Sequence, residues 1–113
     1  MRRVELITVK DAPDLIVSFA LAPSGHRSLT LIRSPQYENL LLEEERGVTI
    51  SPPDRGEVRD RLVAVDWKLP RVELKTEKHR YVVDVSAVAD DELADALRVL
   101  TKMIRSVALL RQT

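Results

Sequence analysis

The sequence predicts an α+β domain: a mostly antiparallel β-meander of about five to seven strands, with a long C-terminal helix packed across one face. Three observations lead there. Clusters of turn residues at Asp11 to Asp14, Pro23 to His26, Ser34-Pro35, Ser51 to Gly56 and Leu69-Pro70 hold all six prolines and two of the three glycines, and Pro and Gly are the strongest local punctuators. The runs between them are short and rich in β-branched residues. After Pro70 neither residue type recurs, and the last quarter repeats its apolar residues at helical spacing.

The strands follow in order. Val4 to Val9, Leu15 to Leu21, Ser28 to Arg33, Gly47 to Ser51, Leu62 to Leu69, Arg71 to Thr76 and His79 to Val85 have strand length and strand composition. Alternation assigns their faces: Leu15, Val17, Phe19 and Leu21, then Val63, Val65, Trp67 and Leu69, then Tyr81, Val83 and Val85 form the predicted core. The opposite parity carries Leu62, Ala64, Asp66 and Lys68, then Arg71, Glu73 and Lys75, then Arg80, Val82 and Asp84, a largely solvated face with opposite charges placed for cross-strand pairing. Between the third and fourth runs Ser34 can cap a helical turn that Pro35 opens and Gly47 stops, or Leu40 to Leu42 can form a buried strand. A helical turn or irregular excursion is the favoured reading.

From Asp90 onward, Leu93, Ala96, Leu97, Val99, Leu100, Met103, Ile104, Val107, Ala108 and Leu110 gather on one half of a helix. Acidic residues crowd its first turn, and Arg105 and Arg111 lie near its end, as the macrodipole favours. A helix of about twenty residues spans roughly 30 Å against roughly 20 Å for a six-residue strand. It should overhang the sheet, so self-association as a homodimer through Val99, Met103 and Leu110 is expected.

Composition narrows the chemistry. With 113 residues the chain is expected to be one domain. Its 18 basic and 18 acidic residues balance, which disfavours nucleic acid and anionic membrane as partners. No uncharged stretch approaches the length of a membrane span and no signal-type segment opens the chain, so a cytoplasmic location is expected. The absence of Cys removes thiolate chemistry and Cys-based metal sites, and His26 and His79 lack metal-ligand spacing. Neither a cofactor nor a metal is expected. His26 reads as an exposed loop residue and His79 as a half-buried strand-end residue; a general base at His79 needs a carboxylate or substrate within about 3 Å. No nucleophile elbow, dinucleotide fingerprint or phosphate loop occurs among the three glycines. The stretch Asp84-Val85-Ser86-Ala87-Val88-Ala89 resembles the D-x-S-x-x-G element of PilZ cyclic-di-GMP receptors, but it ends in Ala89 and the arginines Arg2-Arg3 lie far upstream. Ser86 or Asp90 is more simply a helix-start residue.

One feature of the sequence points outward. Glu38, Glu43, Glu44 and Glu45 flank Leu40 to Leu42, a negative patch beside apolar side chains. Such a segment suits a docking surface in which charge steers approach and Tyr37 or Leu41 supplies buried contact. The order Ser28-Leu29-Thr30-Leu31-Ile32-Arg33, Gly47-Val48-Thr49-Ile50-Ser51, a meander from Leu62 to Val85 and a helix opening at Asp91-Glu92-Leu93-Ala94-Asp95-Ala96-Leu97 resembles small immunity proteins of bacterial polymorphic toxin systems. The resemblance implies a non-catalytic domain that binds and blocks a partner protein. The alternative is a homodimeric domain with a ligand pocket or weak enzymatic role between sheet and helix.

Overall fold

Seven strands follow one another as the turn chemistry requires: β1 (Arg2–Lys10), β2 (Leu15–Leu21), β3 (Arg27–Arg33), β4 (Thr49–Ser51), β5 (Asp60–Lys68), β6 (Arg71–Thr76) and β7 (Arg80–Asp84). A 3₁₀ turn at Pro35–Leu40 stands where a helical turn was favoured, and the helix α1 (Asp90–Met103) precedes an eighth strand, β8 (Leu109–Gln112). The computed structural model describes residues 2–23, 27–40, 47–51, 60–105 and 107–112, without the side chains of Tyr37 and Asn39.

Each strand from β1 to β7 pairs antiparallel with the next, and β4 pairs with both β3 and β5. Six reversals return β7 to the direction of β1, so the pair that closes the ring has to be parallel. It is: Arg2 faces Val83 and Arg3 faces Asp84. Beyond Arg3, the edge of β1 is taken by the helix. The Ile7 N–H donates to Glu92 Oε1 at 3.1 Å, and Asp11, just past β1, pairs with Arg98 at 3.0 Å and Lys102 at 3.8 Å. An otherwise open strand edge is thereby covered.

The core is one cluster reached by every strand of the ring and by α1, with Phe19, Leu31, Ile50, Leu74 and Leu100 fully enclosed. In β2 the predicted residues Leu15, Val17, Phe19 and Leu21 are all buried, and in β7 Val83 is buried with Tyr81 half-buried. β5 departs from simple alternation. Leu62 faces Thr76 but Ala64 faces Lys75, so Val63 is the extra residue of a β-bulge. Parity flips there: Leu62, expected outside, is 1% exposed, whereas Val63, expected inside, is 39% exposed. Leu69, also expected inside, stands exposed in the turn before Pro70.

The helix is shorter than its apolar periodicity suggests. It ends at Met103 with Ile104 as its cap, and Val107 and Ala108 N–H both donate to the Ile104 carbonyl as the chain turns. β8 then runs parallel to β5, from Ala64 opposite Leu109 to Trp67 opposite Gln112. Among the described residues β4 pairs with β5 at Asp60 and Arg61, and the Leu62 N–H donates to the Val48 carbonyl just before β4, which leaves the later part of that edge open, and pairing it outweighs continued helix. Tertiary pairing has overridden local propensity.

Candidate functional site

His79 meets the carboxylate that its chemistry needs. Asp60 opens β5, Thr76 closes β6 and His79 directly precedes β7, and the ring pairing brings all three together. The Thr76 hydroxyl donates to Asp60 Oδ2, which lies 3.0 Å from His79 Nδ1, while Oδ1 accepts the Lys78 N–H at 3.2 Å. The His79 N–H in turn donates to Thr76 Oγ1 at 2.8 Å. Burial pushes the Asp60 carboxyl upward, but hydrogen bonds from Thr76, His79 and the Lys78 N–H outweigh it and hold the group below the usual carboxylate range. The His79 side chain is 29% exposed and its ring lies 6.0 Å from that of Tyr81.

An imidazole oriented by a buried carboxylate has the form of a general base. Among the described residues, the partners of the Asp60 carboxylate lie between the end of β6 and the start of β7. The arrangement therefore pins the turn between those strands to the start of β5. Sequence reading placed His79 at a half-buried strand end, as found, but missed Asp60, nineteen positions away in a stretch that reads as loop.

The predicted docking segment is divided. Tyr37 and Glu38 lie in the 3₁₀ turn, whereas Leu41, Glu43, Glu44 and Glu45, like His26, fall outside the described residues. Glu38 accepts from Arg33 Nε at 3.1 Å, Arg33 Nη2 at 2.8 Å and the Gly47 N–H at 3.0 Å. Arg33 Nη1 also donates to the carbonyls of Met103 and Arg105 at 2.7 and 3.1 Å. Glu38 is thus spent inside the protein: it holds the arginine that closes the C-terminus of α1. Among the residues expected at a dimer contact, Val99 and Met103 are fully buried within the protomer. Only Leu110, half-buried in β8, keeps any exposure, so the helix offers no overhanging apolar stripe.

The outer surface of the ring is two unlike faces. On β1 to β4, cross-strand pairing aligns Leu6 with Ala20 and Ser28, then Thr8 with Ser18, Thr30 and Ser51, then Lys10 with Ile16, Ile32 and Thr49. Lys10 is the single charge in these three rows. The Thr30 hydroxyl lies 3.0 Å from that of Ser18 and 3.3 Å from that of Ser28, which knits the middle of the face together. Leu6 and Ile32 are exposed there.

On β8, β5, β6 and β7 the outward rows are Arg111, Asp66, Glu73 and Val82, then Lys68, Arg71 and Asp84 continuing to Arg3 of β1. Lys75 and Arg80 lie beside them. Cations outnumber carboxylates on this face although the chain as a whole is neutral. Two adjoining hollows indent it: one of about 310 Å³ between Lys68, Arg71, Asp84 and Ser86, and one of about 340 Å³ between Asp66, Lys68, Arg71, Glu73 and Arg111.

No family model, curated protein or solved structure matches the chain. Among the described residues, no group of three His, Asp or Glu side chains gathers as metal ligands would, and no helix is long and apolar enough to cross a membrane.

Proposed function

We propose that the chain is a non-catalytic protein-binding domain that docks through the outer face of β1 to β4, and that the occupant of this face is a second copy of the chain. The observation that carries the reading is the near absence of charge from three adjacent cross-strand rows in a protein whose residues are 32% charged. Unpaired charges are costly to bury, so the centres of docking surfaces are depleted of them. A partner therefore has to present an uncharged surface in return. A second copy meets that condition by construction, because a two-fold axis lays the same rows of hydroxyl and aliphatic groups on one another.

Four strands about 4.8 Å apart and five residues long cover roughly 320 Å², less than half of the about 800 Å² each partner gives to a standard interface. The association is accordingly of the weak class, visible at tens to hundreds of micromolar. Blocking of a different protein, which the resemblance to immunity proteins implies, is the same kind of activity with a heterologous occupant.

Sedimentation equilibrium tests the reading. The wild type should associate reversibly, and Thr30→Lys, which puts an unpaired charge in the middle row, should sediment as a monomer with an unchanged circular dichroism spectrum. A wild type that stays monomeric, or a Thr30→Lys variant that associates equally well, overturns the assignment to this face.

A further inference from the structure

Four arginines of this protein are engaged in ion pairs: Arg33 with Glu38, Arg61 with Glu77, Arg80 with Glu73 and Arg98 with Asp11 and Asp95. Lys68, Arg71 and Arg111 are different. Among the described residues they have no ion-pair partner, and all three are exposed on the outer face of the β5–β6 hairpin and β8. Lys68 and Arg71 are cross-strand neighbours at the end of that hairpin and belong to both hollows, and Arg111 lines the second. Cations without an ion-pair partner around a concavity of ligand size can receive an anionic group.

The carboxylates of the same hollows say what kind of anion. Asp66 and Glu73 line the hollow of Arg111, and Asp84 lines the other, where the Ser86 N–H holds its Oδ1 at 2.8 Å. These groups repel a bare phosphate, and likewise the phosphates of a nucleic-acid strand laid across the rows. Among the described residues no aromatic ring lines either hollow for base stacking, and Trp67 points into the core. A carboxylate is, however, a strong acceptor for hydroxyl groups. The arrangement therefore suits a compact molecule with an anionic end and several hydroxyls.

We propose that the paired hollows of the β5–β6 hairpin bind a phosphorylated sugar or polyol, with its phosphate on Lys68, Arg71 and Arg111 and its hydroxyls donated to Asp66, Glu73 or Asp84. Arginine's planar fork is made for such a phosphate, and lysine adds a point charge beside it. The site lies on the face opposite the uncharged rows, so its fate is independent of the docking surface.

The probes are glucose 6-phosphate, glucose and inorganic phosphate, followed by amide chemical shifts of the full chain. Glucose 6-phosphate should shift amides of residues 66–73 and 84–86 with a dissociation constant of about 1 mM or tighter. Glucose and inorganic phosphate should each bind at least tenfold more weakly. Arg71→Ala should weaken the sugar phosphate tenfold or more with an unchanged melting temperature, while Lys10→Ala, on the other face, leaves it unaltered. Asp66→Asn should weaken the sugar phosphate and strengthen inorganic phosphate. Absence of shifts at about 10 mM ligand, shifts centred away from residues 66–73, 84–86 and 111, equal binding of inorganic phosphate, or indifference to Arg71→Ala would each overturn the proposal.

Discussion

Asp60 shows how one buried carboxylate organises a turn. Its carboxyl titrates below about 3.9, the value of a free aspartate, because Thr76, His79 and the Lys78 N–H bond to its charged form. A lowered folded pKa stabilises the protein at pH above the free value, and that stabilisation is lost as pH falls through the folded value. Asp60→Asn should therefore cost about 1 to 3 kcal/mol at neutral pH, read by urea denaturation, and the gap from wild type should narrow below about pH 4. A gap independent of pH would mean that the charge of Asp60 contributes nothing.

Arg33 works in the same way for the helix end. Its guanidinium joins Glu38 to the carbonyls of Met103 and Arg105, a geometry that an ammonium cannot reproduce. Arg33→Lys should lose about 1.5 to 3 kcal/mol and speed amide exchange at Val107 and Ala108; wild-type exchange there would refute the capping role. Gly47, whose N–H completes this cluster, has φ +107°. A side chain added there would adopt a backbone conformation costly for L residues and place its Cβ 3.3 Å from the Arg61 side chain. Gly47→Ala should destabilise by about 1 to 2 kcal/mol, measured by the same denaturation.

At the scale of elements, the strands were legible because turn residues and two-residue alternation act locally. β2 and β6 occupy the runs read from the sequence, Leu15–Leu21 and Arg71–Thr76. The bulge at Val63 was not legible, since a single extra residue shifts the register without any compositional mark. Nor was β8: Val107 to Leu110 continue the helical period, and only the open edge of β5, formed by residues forty-five positions earlier in the chain, makes them a strand instead. The same limit applies to the sites. Tyr37, Glu38 and Glu43 to Glu45 stood out as a charged segment, but nothing near Glu38 in the sequence says that Arg33 would also reach the helix end. Within α1, Leu100 is fully enclosed, so Leu100→Ala should cost about 2 to 5 kcal/mol depending on how far the cavity collapses. Denaturation showing less than about 1 kcal/mol would contradict the packing of α1 into the ring.

For the whole molecule, zero net charge conceals a partition. The strand order places Ser, Thr, Ala, Leu and Ile, with Lys10 as the one charge, in the three outward rows of β1 to β4, and mostly Lys, Arg, Asp and Glu in the outward rows of β5 to β8. Composition averages over both faces, whereas cross-strand register separates them, so the contrast appears only once the pairing is known. Under the proposed function the nearly uncharged face is buried against a second copy, and under the proposed ligand site the charged face stays in water. The concentration dependence of the amide spectrum tests that division most directly. From about 10 μM to 1 mM, the weak-association range, shifts should grow at Thr8, Ser18, Ala20 and Thr30 while Asp66, Arg71 and Glu73 stay still. A spectrum unchanged over that range, or changes centred on α1 or on β5 to β8, would contradict the assignment of β1 to β4 as the docking face.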